Sequence, residues 1–203
     1  TKMAKDIGAD ACSVLTPVFI GPNQEELYEH YKNIANSVDI PILLYNNPGR
    51  TGINLTADLV ENLSKIDNVI GIKDSSGDMT LTGEFIRRTD SNFSVLAGRD
   101  TLILSTLVYG GKGAITATAN IAPKVPVKIY EEFKKGNLKA ALDAQYELAP
   151  LRLAFSLGSF PVVMKEGLSL IGIDTGTTLK PVGPMTENNR AKLKKVLEDM
   201  GLL

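Results

Sequence analysis

Asn68-Val69-Ile70-Gly71-Ile72-Lys73-Asp74-Ser75-Ser76-Gly77-Asp78 is the stretch from which the chain reads outward. A short apolar run closes on a lysine, and a small polar loop follows. A run this short, bounded by turn residues, is a strand buried on both faces. Asp78 or Thr80 then opens a helix to about Arg88. Strand, loop and helix make one βα unit.

The unit recurs on both sides. Upstream, Thr1 to Ile7 reads as a last helical turn closed by Gly8. Ala11 to Leu15 is a short strand, and Thr16 to Pro22 is a loop. Asn23 caps a helix to about Ser37, with Glu25 and Glu26 in its first turn. Ile40 to Tyr45 is a nearly continuous apolar strand. Asn46 to Asn54 reads as a loop, and Thr56 caps a helix to about Ile66. Downstream, Phe93 to Ala97 is a strand, Asp100 opens a helix to Val108, and Gly113 to Thr118 is a strand. After Ala122 no strand is apparent. Helices are expected over about Pro123 to Lys135, Leu138 to Ser156, Phe160 to Ile171 and Thr186 to Met200.

Strands alternating with helices argue for a parallel sheet with crossover helices. Polar residues collect at the strands' C-terminal ends, where α/β sheets and barrels carry their sites. Five strands do not close an eight-stranded barrel, and periodicity alone does not separate an open doubly wound sheet from part of a barrel.

The totals narrow the function classes. The chain has 203 residues, 43% hydrophobic, with a net charge of -1. A near-neutral chain has no electrostatic reason to seek nucleic acid or an anionic membrane. No apolar run is long enough to span a bilayer. One cysteine, Cys12, fits a reducing cytoplasm and excludes an internal disulfide. One cysteine and one histidine, His30, cannot build a His/Cys zinc site, and no metal is expected.

Lys73 ends a buried strand, where partial desolvation favours the neutral, nucleophilic amine. Its ordinary alternative is a strand-end lysine reaching water. Tyr45 ends the preceding strand and suits proton transfer beside an imine; a half-buried core tyrosine is the plain alternative. Arg50, in a Pro-Gly turn, can fork onto a carboxylate or simply be solvated. Gly110-Gly111-Lys112-Gly113 lacks the spacing of a phosphate loop. Gly71 and Gly98 stand beside strands, where a missing side chain permits close approach.

Two segments together change the weighting. Tyr45-Asn46-Asn47-Pro48-Gly49-Arg50-Thr51-Gly52, followed by Gly71-Ile72-Lys73-Asp74-Ser75-Ser76-Gly77-Asp78, resembles the paired signature of the dihydrodipicolinate synthase / N-acetylneuraminate lyase family. Leu96 to Asp100, Gly110 to Asn120 and Phe160 to Leu168 resemble it too, in order along the chain. The resemblance implies a (β/α)8 TIM barrel, of which this chain carries the last five strands, plus a C-terminal helical region. Residues 1–121 would be the partial barrel, and 122–203 its final helix and the C-terminal helices.

It also implies a Schiff-base-forming class I aldolase. Lys73 would be the imine lysine and Tyr45 the proton-transfer residue. Arg50 would hold the second substrate's carboxylate, and Gly98 and Ile115 would line the pyruvate site. The substrates implied are pyruvate and an aldehyde, with no cofactor beyond the covalent imine. The turn Pro48 to Thr51 favours the synthase that condenses pyruvate with aspartate semialdehyde in lysine biosynthesis. The implied setting is a cytoplasmic homo-oligomer, a tetramer. Two departures stand out. The family extends further at the N-terminus by about 90 residues, three βα units of roughly 30 each, which hold the loop that cradles the pyruvate carboxylate. The chain by itself is therefore expected to be inactive, at the extreme an assembly element. Phe19 stands where the synthase has a tyrosine, which leaves room for a 2-keto-3-deoxy-sugar-acid aldolase.

Overall fold

All five expected strands form, and they pair in chain order. The computed structural model describes residues 1–203. The strands are β1 (Cys12–Leu15), β2 (Ile42–Asn46), β3 (Val69–Asp74), β4 (Ser94–Ala97) and β5 (Gly113–Ala114). They form one parallel sheet in the order β1-β2-β3-β4-β5. That order resolves the alternative left open above. A doubly wound sheet reverses direction at a switch point, whereas a barrel adds each strand beside the last. The fold is the last five strands of a (β/α)8 barrel followed by C-terminal helices.

The chain divides into two compact units, residues 1–115 and 116–203. In the first unit, α1 (Lys2–Asp6) precedes β1, and α2 (Gln24–Asn36), α3 (Pro48–Thr51), α4 (Ala57–Leu63), α5 (Met79–Arg88) and α6 (Ile103–Val108) separate the strands. Leu27, Tyr31 and Ala35 of α2, Leu59, Val60 and Leu63 of α4, and Phe85 of α5 form one core with Ile42, Leu44, Val69, Ile72 and Val95. Alternation along a strand sends its neighbours Leu43, Tyr45, Lys73 and Leu96 to the opposite face, where burial is only partial.

The helix starts follow their capping chemistry. Asn23 and Glu26 make a reciprocal capping box on α2. Thr56 Oγ1 accepts from Leu59 N–H on α4, and Asp78 Oδ1 accepts from Thr80 and Leu81 N–H on α5. Asn68 donates its amide to the carbonyls of Ala35 and Val38 at 2.9 and 3.0 Å, tying the end of α2 to the approach of β3.

The structure corrects two local expectations. The segment expected as a plain loop after Tyr45 contains α3. Pro48 occupies its first turn, and Gly52 ends it at φ 75°, the usual Pro-start, Gly-stop pattern. The strand expected from Gly113 to Thr118 stops at Ala114. Its partner β4 ends at Ala97, so only Ile115 N–H continues the ladder, to the Ala97 carbonyl at 2.9 Å. Gly71 does serve close approach: a Cβ there would fall 2.4 Å from the Ser94 carbonyl oxygen.

The second unit is helical: α7 (Lys124–Lys134), α8 (Leu138–Leu153), α9 (Val162–Leu170) and α10 (Glu187–Asp199). α7 packs along α8, and α10 packs on α8 and α9. Asn189 donates to the Leu157 carbonyl at 2.8 Å, and Arg190 pairs with Glu166 at 3.1 Å. No helix of the chain is long and apolar enough to cross a membrane.

Candidate active site

Tyr45 and Lys73 are direct register partners on β2 and β3. Both side chains lie on the partly open face, in a row that runs Leu15, Tyr45, Lys73, Leu96, Gly113 across the sheet. Lys73 Nζ stands 4.2 Å from the centroid of the Tyr45 ring. The two residues singled out for chemistry are thus in contact, with a cation over an aromatic face.

The phenol oxygen has several neighbours. Asn47 Nδ2 donates to Tyr45 Oη at 2.9 Å. Burial pushes the Tyr45 phenol up. The Lys73 charge and hydrogen bonds with Asn47, Ser75 and Lys73 together outweigh that effect and hold the phenol below its ordinary value.

The ladder continues one step beyond the strands. Ser75 N–H donates to the Asn46 carbonyl at 2.8 Å, Gly98 N–H to Asp74 at 2.7 Å, and Ile115 N–H to Ala97 at 2.9 Å. By alternation Asn47, Ser75, Gly98 and Ile115 form the next layer on the Tyr45 and Lys73 face. Gly98 and Ile115 therefore share a layer directly past the reactive pair. A Cβ at Gly98 would fall 2.0 Å from Ser75 Oγ and 2.9 Å from the Asp74 carbonyl, so that position needs glycine. Arg50 is exposed on α3, three residues after Asn47.

The structure adds residues that a reading by type passed over. Asn46 and Asp74, one residue past Tyr45 and Lys73, turn to the buried face and bond to each other, Asn46 Nδ2 donating to Asp74 Oδ1 at 3.0 Å. The same amide donates to Asn54 Oδ1 at 2.8 Å, and Asn46 Oδ1 accepts from Leu55 N–H at 3.1 Å. Asp74 also accepts from Ser76 N–H at 3.0 Å, Ser76 Oγ at 2.9 Å and Thr82 Oγ1 at 2.6 Å. Both residues are buried, Asn46 completely and Asp74 to 4% exposure. This brace fixes the ends of the strands that carry the reactive pair. The available signal was a buried-strand register with polar residues at matching positions. Arg99 completes the support: its Nε donates to the Ser75 carbonyl at 3.0 Å.

Phe19 lies in the β1–α2 loop, 98% exposed, with φ at 75°. It has a ring and no hydroxyl. No group of three or more His, Cys, Asp or Glu side chains is placed to hold a metal ion.

Comparison with known proteins agrees with this geometry. A model of the dihydrodipicolinate synthetase family matches residues 1–200. The chain is 41% identical over 201 residues to the 4-hydroxy-tetrahydrodipicolinate synthase of Methanothrix thermoacetophila, covering 98% of this chain and 68% of that protein. The crystal structure of dihydrodipicolinate synthase from Thermotoga maritima matches with a TM-score of 0.96 at 34% identity, over 100% of this chain and 70% of that one. The Acinetobacter baumannii enzyme, solved in complex with pyruvate, matches with a TM-score of 0.95 at 38% identity, over the same shares of the two chains.

Proposed function

We propose that this chain, which belongs to the dihydrodipicolinate synthetase family, carries the imine lysine, Lys73, of an enzyme that condenses pyruvate with aspartate semialdehyde. The observation that carries the reading is the register pairing of Lys73 with Tyr45, with the ammonium 4.2 Å from the ring. The pyruvate complex of the Acinetobacter baumannii relative supports the first substrate. The names of the relatives support the second and, with it, a role in lysine biosynthesis.

The steps follow from the groups present. The Tyr45 phenolate takes a proton from Lys73, leaving a neutral amine. That amine attacks the ketone carbon of pyruvate, and the resulting hydroxyl leaves as water with a proton returned by Tyr45. The iminium withdraws electrons, so the methyl group loses a proton to the Tyr45 phenolate and becomes an enamine. The enamine carbon bonds to the aldehyde carbon, the new alkoxide takes that proton back from Tyr45, and water adds to the iminium to free the product and Lys73. No cofactor beyond the imine enters these steps. Gly98 and Ile115 line the pocket for pyruvate, and Arg50 takes the carboxylate of the aldehyde substrate by a bidentate contact. The oligomer expected for this reading is a cytoplasmic homotetramer, open to measurement by sedimentation.

Borohydride trapping tests the core of the reading. The full-length polypeptide is reduced in the presence of pyruvate, and the product is digested and mapped by mass spectrometry. A pyruvyl adduct on Lys73 is expected, and Lys73→Met should abolish it. An adduct elsewhere, or none, would overturn the assignment. Phe19, lacking a hydroxyl, favours a second reading, aldol cleavage of a 2-keto-3-deoxy sugar acid. Turnover of the semialdehyde against cleavage of the sugar acid separates the two. Arg50→Ala should lower semialdehyde turnover and leave trapping by pyruvate intact.

A further inference from the structure

Asn47 stands at the start of α3, where an asparagine ordinarily turns its side chain back to cap the helix. Here it makes no cap bond. Its amide reaches two residues back instead and donates to Tyr45 Oη at 2.9 Å. The preceding Asn46 is turned to the buried brace, and Asn47 belongs to the layer on the open face. No step above employs it. Its backbone is pinned. The Asn47 carbonyl accepts from Arg50 N–H at 2.9 Å, Thr51 N–H at 3.1 Å and Thr51 Oγ1 at 3.3 Å. Thr51 Oγ1 in turn accepts from the Thr16 hydroxyl at 2.9 Å and from Ile53 N–H at 3.2 Å. Thr16, directly past β1, is 1% exposed.

We propose that Asn47 is a positioning residue for proton transfer by Tyr45, its amide fixing the phenol oxygen beside Lys73 and tying it to the turn that carries Arg50. A phenol oxygen that accepts from an amide N–H keeps its own proton out of that direction. Once ionised it already has a donor in place, so the phenolate forms without rearranging its surroundings. The buried Thr16 hydroxyl, through Thr51, holds the backbone from which that donor extends. The carbonyl that Thr51 secures also accepts from Arg50 N–H, so one residue relates the proton-transfer group to the arginine assigned to the second substrate. Lys73 on β3 is the charged side chain in contact with the phenol ring. Arg50 stands on α3, Arg99 bonds the carbonyls of Ser75 and Ser76, and Asp74 faces the buried side. Leu15, the register partner of Tyr45 on β1, is uncharged.

This inference rests on the reading of Lys73 and Tyr45 as the imine pair, and its test separates the two. Asn47→Asp keeps the shape and replaces the donor by a carboxylate, and Asn47→Leu removes both polar atoms. Each is checked for parent-like unfolding in urea. The Tyr45 titration is followed in the full-length polypeptide by tyrosinate absorbance, as a difference against the same protein carrying Tyr45→Phe, because the chain has six tyrosines. The rate of pyruvate trapping is measured in parallel. Asn47→Leu should make Tyr45 titrate about one pH unit higher and slow trapping by up to about tenfold, the worth of one hydrogen bond to a charged group. Asn47→Asp should move the titration further still, since its charge opposes the phenolate. Neither change should slow trapping further in a Tyr45→Phe background. A residue that only begins α3 would leave Asn47→Asp like the parent, because aspartate serves there as well as asparagine. That result, or equal slowing with and without the Tyr45 hydroxyl, would overturn the proposal. A shifted titration in a protein that traps no pyruvate would remove the imine reading and leave the Asn47 assignment standing.

Discussion

Removing the Asp74 carboxylate tests the brace beneath the reactive pair. Its four donors differ in what they lose. Ser76 is only partly buried, so its N–H and hydroxyl recover hydrogen bonds from water. The Thr82 hydroxyl already reaches the Asp78 carbonyl at 3.0 Å and turns to it. Asn46 keeps its bond to Asn54 at 2.8 Å, but its other amide proton is left without an acceptor in a fully buried site. One buried unsatisfied donor costs about 1–3 kcal/mol, and loss of a charge-assisted bond to Thr82 adds roughly 1 kcal/mol. Asp74→Ala should therefore destabilise the fold by about 2–4 kcal/mol. Asp74→Asn keeps an oxygen for Asn46 and Ser76 N–H. Its new amide nitrogen can donate to Thr82 Oγ1, whose proton turns to Asp78, so the cost should be about 1 kcal/mol. Urea unfolding followed by circular dichroism gives both values. Equal losses for the two variants, or a loss below about 1 kcal/mol for Asp74→Ala, would show that the buried amide finds another acceptor and that the brace is not a closed network.

Three further outcomes are expected. Gly98→Ala should cost about 1–3 kcal/mol through overpacking, because its Cβ meets Ser75 Oγ at 2.0 Å and the Asp74 carbonyl at 2.9 Å; combined with Ser75→Ala, the urea midpoint should recover in part. Tyr31 is buried on α2, and burial raises its phenol above the ordinary value of 10.0. The stability this contributes is full below that value and falls as pH rises past it, since the unfolded phenol releases its proton first. Alkaline urea midpoints should therefore fall less steeply in Tyr31→Phe, which also loses about 1 kcal/mol near neutral pH with its 3.2 Å bond to the Val14 carbonyl. Phe19→Gly should raise stability by about 1 kcal/mol, because Phe19 holds φ at 75° and the residue is 98% exposed; a thermal scan showing no gain would mean that its backbone is not strained.

The sequence alone determined the repeating unit and the residues at its ends. Short apolar runs closing on Tyr45 and Lys73 announced buried parallel strands, because alternation of strand and helix is a local property written in spacing. Asn23, Thr56 and Asp78 announced helix starts, because a cap bonds only to its own first turn. The paired segments around Tyr45 and Lys73 also pointed to the family. Three matters needed the tertiary structure. The choice between a barrel segment and a doubly wound sheet depends on which strand pairs with which, and that is not encoded in the spacing of any one unit. The partnership of Asn46 with Asp74 depends on the β2–β3 register, which a bulge at Ile42 and Leu43 shifts by one residue. The need for glycine at position 98 depends on a serine hydroxyl from the neighbouring strand end, 23 residues earlier in the chain. Each is a contact between segments far apart in sequence, so only packing one strand against the next could decide it.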